Sequence, residues 1–301
     1  MRKIIFDCDP GIDDAVALAV ALTDPEIDLQ LISTVAGNVT VDKTSKNALK
    51  LVEFFGKDIP VAAGAKKPLL QTYEDASRVH GESGMAGYNF KVPTRELVKE
   101  NAVEAIHQKL NQASEKVTLV VTGAYTNIAL LLSQYPEDKL KIDQVIMMGG
   151  SISGGNMTSV AEFNIFTDPE AAQIVFKSGL DIVMVGLDVT LKGRISDETQ
   201  DKLADYGQAG EMLAGIIAAD MDHNEFGTAV HDLQTIFYLQ HPEAFKTREL
   251  WVDVVTDGPA RGATVADIRR AYHRDTNAFV CIDIDTDAFN AWFLEKVAQN
   301  M

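Results

Sequence analysis

The sequence predicts an α/β fold with a mostly parallel, open, Rossmann-like sheet and helices on both of its faces. Two observations carry this. Short apolar runs alternate with stretches of helical periodicity over the first 188 or so residues, the pattern of strands joined by helical crossovers. Composition is that of an ordinary globular protein, 46% hydrophobic and 24% charged, so a core can form. In order, residues 3–6 read as a buried strand and residues 14–22 as a helix stopped by Asp24-Pro25. Residues 29–35 follow as a strand, 41–55 as a helix and 59–62 as a short strand. Residues 103–112 read as a helix, 117–121 as a strand, 127–133 as a helix and 144–148 as a strand. The helix 169–177 then separates that strand from 182–187. Beyond Asp188 the pattern turns helical at 198–203, 210–221 and 233–240, and it ends in strand-like 250–255 and 279–284 and a helix at 288–297. No linker, charge block or internal repeat marks a boundary, so residues 1–301 are expected to form one domain with helical insertions in the second half. The long unassigned stretches 64–93 and 151–167 are candidates for functional loops.

Charge narrows the function classes. Lys and Arg number 27 against 44 Asp and Glu, a net charge of −17. A protein that binds nucleic acid or an anionic membrane needs a basic face to engage phosphates, and no basic run is present to build one. The apolar run 15–22 is too short to span a bilayer. Only Ile4, Ile5 and Phe6 separate Arg2-Lys3 from Asp7, which leaves no signal-peptide core. Two cysteines, Cys8 and Cys281, make no disulfide framework. The expectation is a cytoplasmic protein.

The chemistry concentrates where the first strand meets the first helix, in Asp7-Cys8-Asp9-Pro10-Gly11-Ile12-Asp13-Asp14. The C-terminal ends of strands in an open α/β sheet form the ligand crevice. Four carboxylates packed there repel one another unless a cation compensates them. Pro10-Gly11 supplies a tight turn that lets Asp9, Asp13 and Asp14 converge. Carboxylate oxygens suit Ca²⁺ or Mg²⁺ rather than zinc. One Asp here could simply cap the helix and complement its dipole, but four exceed what capping needs. Two reactions can use such a motif. One is Mg²⁺-dependent phosphoryl transfer of the haloacid-dehalogenase type, with Asp7 as nucleophile and Asp9 as acid. That pattern wants Thr or Val where Gly11 stands. The other is hydrolysis assisted by a metal that activates water.

Further blocks decide between them. Gly37-Asn38-Val39 follows the second strand, and Thr122-Gly123-Ala124-Tyr125-Thr126-Asn127 follows the strand 117–121. Met148-Gly149-Gly150 ends the next strand, Glu162-Phe163-Asn164-Ile165 precedes Asp168-Pro169-Glu170, and His231-Asp232 stands before a helix. Together with the acidic motif, and in the same order from residue 7 to residue 232, these blocks resemble the inosine–uridine-preferring nucleoside hydrolases. Beyond about Gln240 no motif contributes.

The resemblance implies hydrolysis of the N-glycosidic bond of ribonucleosides, to ribose and free base, in the nucleoside hydrolase fold. It implies Ca²⁺ held by Asp9, Asp14, the main-chain carbonyl of Thr122 and Asp232. Asp9 would be the general base and His231 the group that serves the leaving base. Substrate contacts would come from Asp13, Asn38, His80, Met148, Asn156, Glu162 and Asn164. Homo-oligomers, dimer or tetramer, are implied as well. Each residue also has a plain reading. Asn38 after a glycine is turn chemistry, Asp232 could cap the helix 233–240, and His231 could be an exposed loop residue. Glu162 and Asn164, two apart, would point to one side of an extended segment. His80 lies in His80-Gly81-Glu82-Ser83-Gly84, which resembles a His-Gly loop beside the sugar, while His107, His241 and His273 read as surface residues. Two departures stand out: Leu233 replaces a Pro usual after the His-Asp pair, and the segment Met221-Asp222-His223-Asn224-Glu225-Phe226 lacks the tyrosines often found there. A phosphatase and a non-catalytic nucleoside- or ribose-binding protein remain the competing classes.

Overall fold

The computed structural model describes residues 1–77 and 81–301. An eight-stranded sheet forms the centre. Its strands are β1 (Arg2–Cys8), β2 (Ile27–Thr34), β3 (Val61–Ala63), β4 (Val117–Val121), β5 (Ile142–Met148) and β6 (Ile182–Val185), completed by two late strands. A hairpin of β7 (His223–Asn224) and β8 (Gly227–Thr228) stands apart. Next come β9 (Phe245–Leu250), then β10 (Val252–Val254) paired with β11 (Thr264–Ala266), and finally β12 (Ala278–Ile284). The order across the large sheet is β3-β2-β1-β4-β5-β6-β12-β9. Every pairing in it is parallel except β12 with β9.

The chain runs outward from β1 to β3 and then returns to lay β4 against the other side of β1. The connections at the C-terminal ends of β1 and β4 therefore diverge and open a crevice, the switch point where doubly wound sheets bind ligands. Asp9 follows one of these strands and Thr122 the other.

Continuous burial explains why the central strands read as apolar runs. Along β1, Ile4, Phe6 and Cys8 join one core cluster while Ile5 joins the other, and β4 divides Val120 from Leu119 and Val121 in the same way. The first cluster is covered by α1 (Ile12–Thr23) and α2 (Val41–Phe54). The second is covered by α3 (Ala102–Gln112), α4 (Thr126–Gln134), the short α5 (Phe163–Thr167) and α6 (Pro169–Phe176). After α7 (Leu187–Thr190) and α8 (Asp197–Leu203), the helices α9 (Gly207–Ala218), α10 (Leu233–Gln240) and α11 (Thr286–Asn300) return to the first face. They enclose α1, whose residues 12–22 are all buried. That enclosure accounts for the helical second half.

The structure differs from the sequence reading at several places. Residues 250–255 are not one strand. The chain breaks at Trp251, and β9 before it is the antiparallel edge of the main sheet while β10 pairs elsewhere. Strand β9 escaped detection because Lys246, Arg248 and Glu249 face solvent along it, as suits a sheet edge. The strand expected at 182–187 stops at Val185, where Gly186 caps α7. The stretch 151–167 contains α5. His107 is no solvated residue: its ring stacks on Tyr135 at 3.7 Å and its Nδ1 lies 2.8 Å from Asp138.

At the sheet edge opposite the crevice, Asp24 ties three helices together. Its side chain follows α1 and meets Lys296 of α11 at 2.7 Å and Gln240 of α10 at 3.0 Å, and it accepts the Glu26 N–H at 2.8 Å. Burial opposes its charge, yet Lys296, Glu26 and Gln240 hold its carboxyl below the usual carboxylate value. Because the folded-state value is depressed, this contribution is complete above the unfolded value of 3.8 and is lost as pH falls through the folded one. We expect Asp24→Ala to lower stability in urea unfolding at neutral pH by about 3 kcal/mol. Measured near pH 2, the difference between variant and parent should shrink.

Candidate active site

The loop after β1, the first turn of α1 and the start of α10 meet at the switch point. Gly11 caps α1, which places Asp13 and Asp14 in its first turn. Asp14 accepts hydrogen bonds from the Gly11 N–H at 3.0 Å, Asn38 Nδ2 at 3.1 Å and Thr122 Oγ1 at 2.8 Å. Asp9 accepts the Asn38 N–H through Oδ2 at 2.6 Å, while its buried Oδ1 has no partner among the described residues. Two glycines press on this carboxylate. A Cβ at Gly37 would lie 2.0 Å from Oδ2, and one at Gly123 would lie 2.8 Å from Oδ1. Asn38 also donates to the Asp9 carbonyl at 3.1 Å. It is thus a brace between β1 and α1 as well as a wall of the site.

Asp232 is the residue before α10, yet its side chain caps nothing. It turns instead to Asp13 and Asp14, and one oxygen from each of the three lies within 4.8 Å of the others. Leu233, in place of the expected Pro, opens α10 fully buried and disturbs none of this. Burial, then the charges of Asp13, Asp14 and Asp9, push the Asp232 carboxyl well above its usual value. Burial and Asp14 do the same to Asp9. Asp13 is raised by burial, against the pull of His231. Three converging carboxylates and a buried carboxylate oxygen without a partner make a hard-oxygen donor set that fits a divalent cation.

Above this floor is a cavity of about 360 Å³. Asp13, Asn38, Thr122, Met148, Glu162, Asn164, His231 and Asp232 line it, with Asn156 at its exposed rim. Asp9 and Asp14 do not line it. They are fully buried and bonded to Asn38 and Thr122, which do. His80 lies outside the described residues. Glu162 and Asn164 share the cavity, but not through an extended segment. Glu162 caps α5, accepting the N–H groups of Asn164, Ile165 and Gly150 at 2.8, 3.1 and 2.9 Å, and Asn164 sits in the helix. Asn164 Nδ2 donates to the Thr122 carbonyl at 2.8 Å and the Met148 carbonyl at 3.2 Å, and the latter also accepts the Tyr125 hydroxyl.

Asp7 has a different place. It is fully buried, off the cavity, and accepts hydrogen bonds from Ser33 and from Asn127 at 2.8 Å. Burial nonetheless pushes its carboxyl up to about 7. Both donors reach Oδ1, and Oδ2 is buried without a partner among the described residues.

His231 faces the cavity between two partners. Its Nδ1 lies 2.7 Å from Thr190 Oγ1 and its Nε2 is 3.6 Å from Asp222 Oδ2. Burial works against its proton, but Asp222 and Asp13 outweigh that and raise its pKa. The same contact, with Arg194, holds the Asp222 carboxyl down to about 2. The rest of the lining is Ala76, Met157, Phe163, Asp220, Met221 and Asp222. Sequence reasoning missed Thr190, Arg194 and Asp220 altogether, and it noted Asp222 only as part of a segment without tyrosine. Their partners lie far along the chain, so no local spacing signals them.

Residues 4–291 match the family model of the inosine–uridine preferring nucleoside hydrolases. The chain belongs to this family. It is similar to the non-specific ribonucleoside hydrolase RihC of Klebsiella pneumoniae subsp. pneumoniae, at 47% identity over 98% of each chain. Its fold is similar to that of a purine-preferring ribonucleoside hydrolase from Gardnerella vaginalis, with a TM-score of 0.92 and 29% identity over 99% of this chain and 98% of that one. An inosine–guanosine nucleoside hydrolase matches with a TM-score of 0.90 and 26% identity over 100% of both chains. This nucleoside hydrolase is therefore an enzyme that splits ribonucleosides into ribose and base. No described helix is long and apolar enough to cross a membrane.

The close approach of Gly37 to Asp9 gives a test of the site that leaves every polar group in place. Gly37→Ala should keep the fold by circular dichroism. It should displace the Asp9 carboxylate and cost roughly 100-fold in kcat/KM, the scale on which misplacements of about an ångström act.

Proposed function

We propose that this nucleoside hydrolase uses Asp9 as general base, His231 as the group that assists the leaving base, and a Ca²⁺ ion. The single observation that carries the reading is the convergence of Asp13, Asp14 and Asp232 at the switch point, on the same loop and helix start that bury Asp9. Asp9, Asp14, the Thr122 carbonyl and Asp232 would hold the ion, with Asp13 also in reach. Bound there, it would lower the pKa of a water molecule and fix sugar hydroxyls.

The chain's own groups do the rest. Asp9 Oδ1, held in one orientation by Asn38 and the flanking glycines, takes the proton of the attacking water. Asp13, Asn38, Met148, Asn156, Glu162 and Asn164 receive the ribose, as His80 would. Positive charge builds on the ribosyl ring as the bond to the base breaks. The surrounding carboxylates are already oriented toward it and stabilise it without reorganising. His231 donates to the departing base, which is a poor leaving group until protonated or strongly hydrogen-bonded.

The cavity lining includes adaptable Met157 and Met221 and the ring of Phe163, apolar groups that accept rings of different size. This supports hydrolysis of both purine and pyrimidine ribonucleosides, in keeping with the name of the Klebsiella relative. We further propose that the whole chain works as one domain, since β12 and β9 complete the sheet begun by β1. A homo-oligomeric state, dimer or tetramer, and a cytoplasmic location complete the reading.

Two experiments test it. Metal analysis of the purified protein should find one Ca²⁺ per chain, with activity lost on exhaustive chelation; zinc in its place, or full activity without metal, would overturn the assignment. Asp9→Asn should retain the fold and lose about 10²–10⁴-fold in turnover on inosine and on p-nitrophenyl riboside alike, because both need activated water. His231→Ala should slow inosine by a comparable factor and p-nitrophenyl riboside far less, since nitrophenolate departs without help.

A further inference from the structure

The side chain of His231 sits at the end of a chain of contacts that begins outside the cavity. Arg194 is almost fully buried, and its own carbonyl accepts Asn290 Nδ2 of α11 at 2.8 Å. Its guanidinium donates through Nε to the Leu191 carbonyl at 3.1 Å. Through Nη1 it reaches the carbonyls of Asp222 and Gly227, at 2.9 and 3.1 Å. The first of these carbonyls lies just before β7 and the second opens β8, so one planar group is bonded to both sides of the hairpin. Nη2 then grips the Asp222 carboxylate at Oδ1, 2.9 Å away. The other oxygen, Oδ2, is left facing the imidazole.

The distance there is informative. At 3.6 Å, Asp222 Oδ2 is beyond a closed hydrogen bond to Nε2. An imidazole tethered at Nδ1 alone, through Thr190, could still rotate about its Cβ–Cγ bond. A carboxylate anchored on the Nε2 side restrains that rotation by its field yet leaves the Nε2 donor free for an atom entering the cavity.

We propose that Asp222, fixed by Arg194, is a positioning residue that aims His231 Nε2 at the departing base. The proposal rests on the reading of His231 as the leaving-group residue. Asp222 reaches the reaction through His231 and not through the ribose. Its loss is therefore felt only where leaving-group assistance is needed. Orientation of a reacting group to within an ångström is worth orders of magnitude in rate, and supporting partners of functional histidines commonly account for 10- to 100-fold.

The test uses the metal-loaded enzyme and three substrates: inosine, uridine and p-nitrophenyl riboside. Asp222→Asn keeps an oxygen for Arg194, and so the hairpin, while replacing the carboxylate facing the imidazole. We expect kcat on inosine and uridine to fall roughly 10- to 100-fold, with a much smaller change on p-nitrophenyl riboside and little change in KM. Asp222→Ser, which adds no bulk, should give the same selective loss. Adding Asp222→Asn to His231→Ala should cost nothing further, because the group it aims is gone. Equal losses on all three substrates, or a further loss in the His231→Ala background, would overturn the proposal. If His231→Ala is selective and Asp222→Asn is not, the positioning role alone falls. If His231→Ala itself slows all three equally, the reading of His231 falls and takes the proposal with it.

Discussion

Crowding of like charge is the constraint around which this molecule is arranged. Asp7, Asp9, Asp13, Asp14 and Asp232 are all buried at the ends of β1, α1 and α10. Burying an ionised carboxylate without compensation is costly. The fold answers in two ways. Neutral donors are brought to some of the acids: Ser33 and Asn127 to Asp7, Asn38 to Asp9, and Gly11, Asn38 and Thr122 to Asp14. The N-terminal end of α1 adds its partial positive charge beside Asp13 and Asp14. Those donors leave one oxygen of Asp7 and one of Asp9 without a partner among the described residues, and Asp13, Asp14 and Asp232 still converge with like charge. That convergence is the electrostatic demand for a cation, and it lies next to the cavity.

Two kinds of element line that cavity. Part of the lining rests on strand termini and first helical turns, joined by short hydrogen bonds between elements that are distant in sequence. Residues 220–222 and Met157 come from loops. On the proposed mechanism, rigid elements suit the groups that hold a reacting water and a sugar in one geometry, whereas loops accommodate variation in the ring that leaves. The Arg194 guanidinium spans this difference by fastening a loop segment to the helical layer.

Much of this was legible in the sequence because it is local. Continuous apolar runs marked the central strands, since burial on both faces leaves no alternation to disguise them, and four acids between a strand and a helix marked the site. Strand β9 was hidden because an edge exposed to water carries charges in place of an apolar run. The division of labour among the acids was hidden too. Asp13 reads as a ribose contact, and the fold also brings Asp232 beside it, a meeting that only the packing of α10 on α1 decides. Glu162 was identified as a site residue, yet its grip on three main-chain N–H groups depends on the turn at Gly150, which residue identity does not reveal. The two partners of His231, Asp222 and Thr190, lie 9 and 41 residues from it, and Arg194, which grips Asp222, lies 28 residues before that residue; nothing in their spacing announces a relation.

The two margins of the sheet have a consequence for how copies of this chain can meet. At one margin β3 is only three residues long, and at the other β9 turns Lys246, Arg248 and Glu249 to solvent. Neither offers the long, uncharged row of main-chain groups on which a foreign strand could be added. Joining copies by adding strands at either margin of this sheet is thereby disfavoured. Contacts made through side chains instead would leave the hydrogen-bond ladder behind the crevice intact when subunits separate.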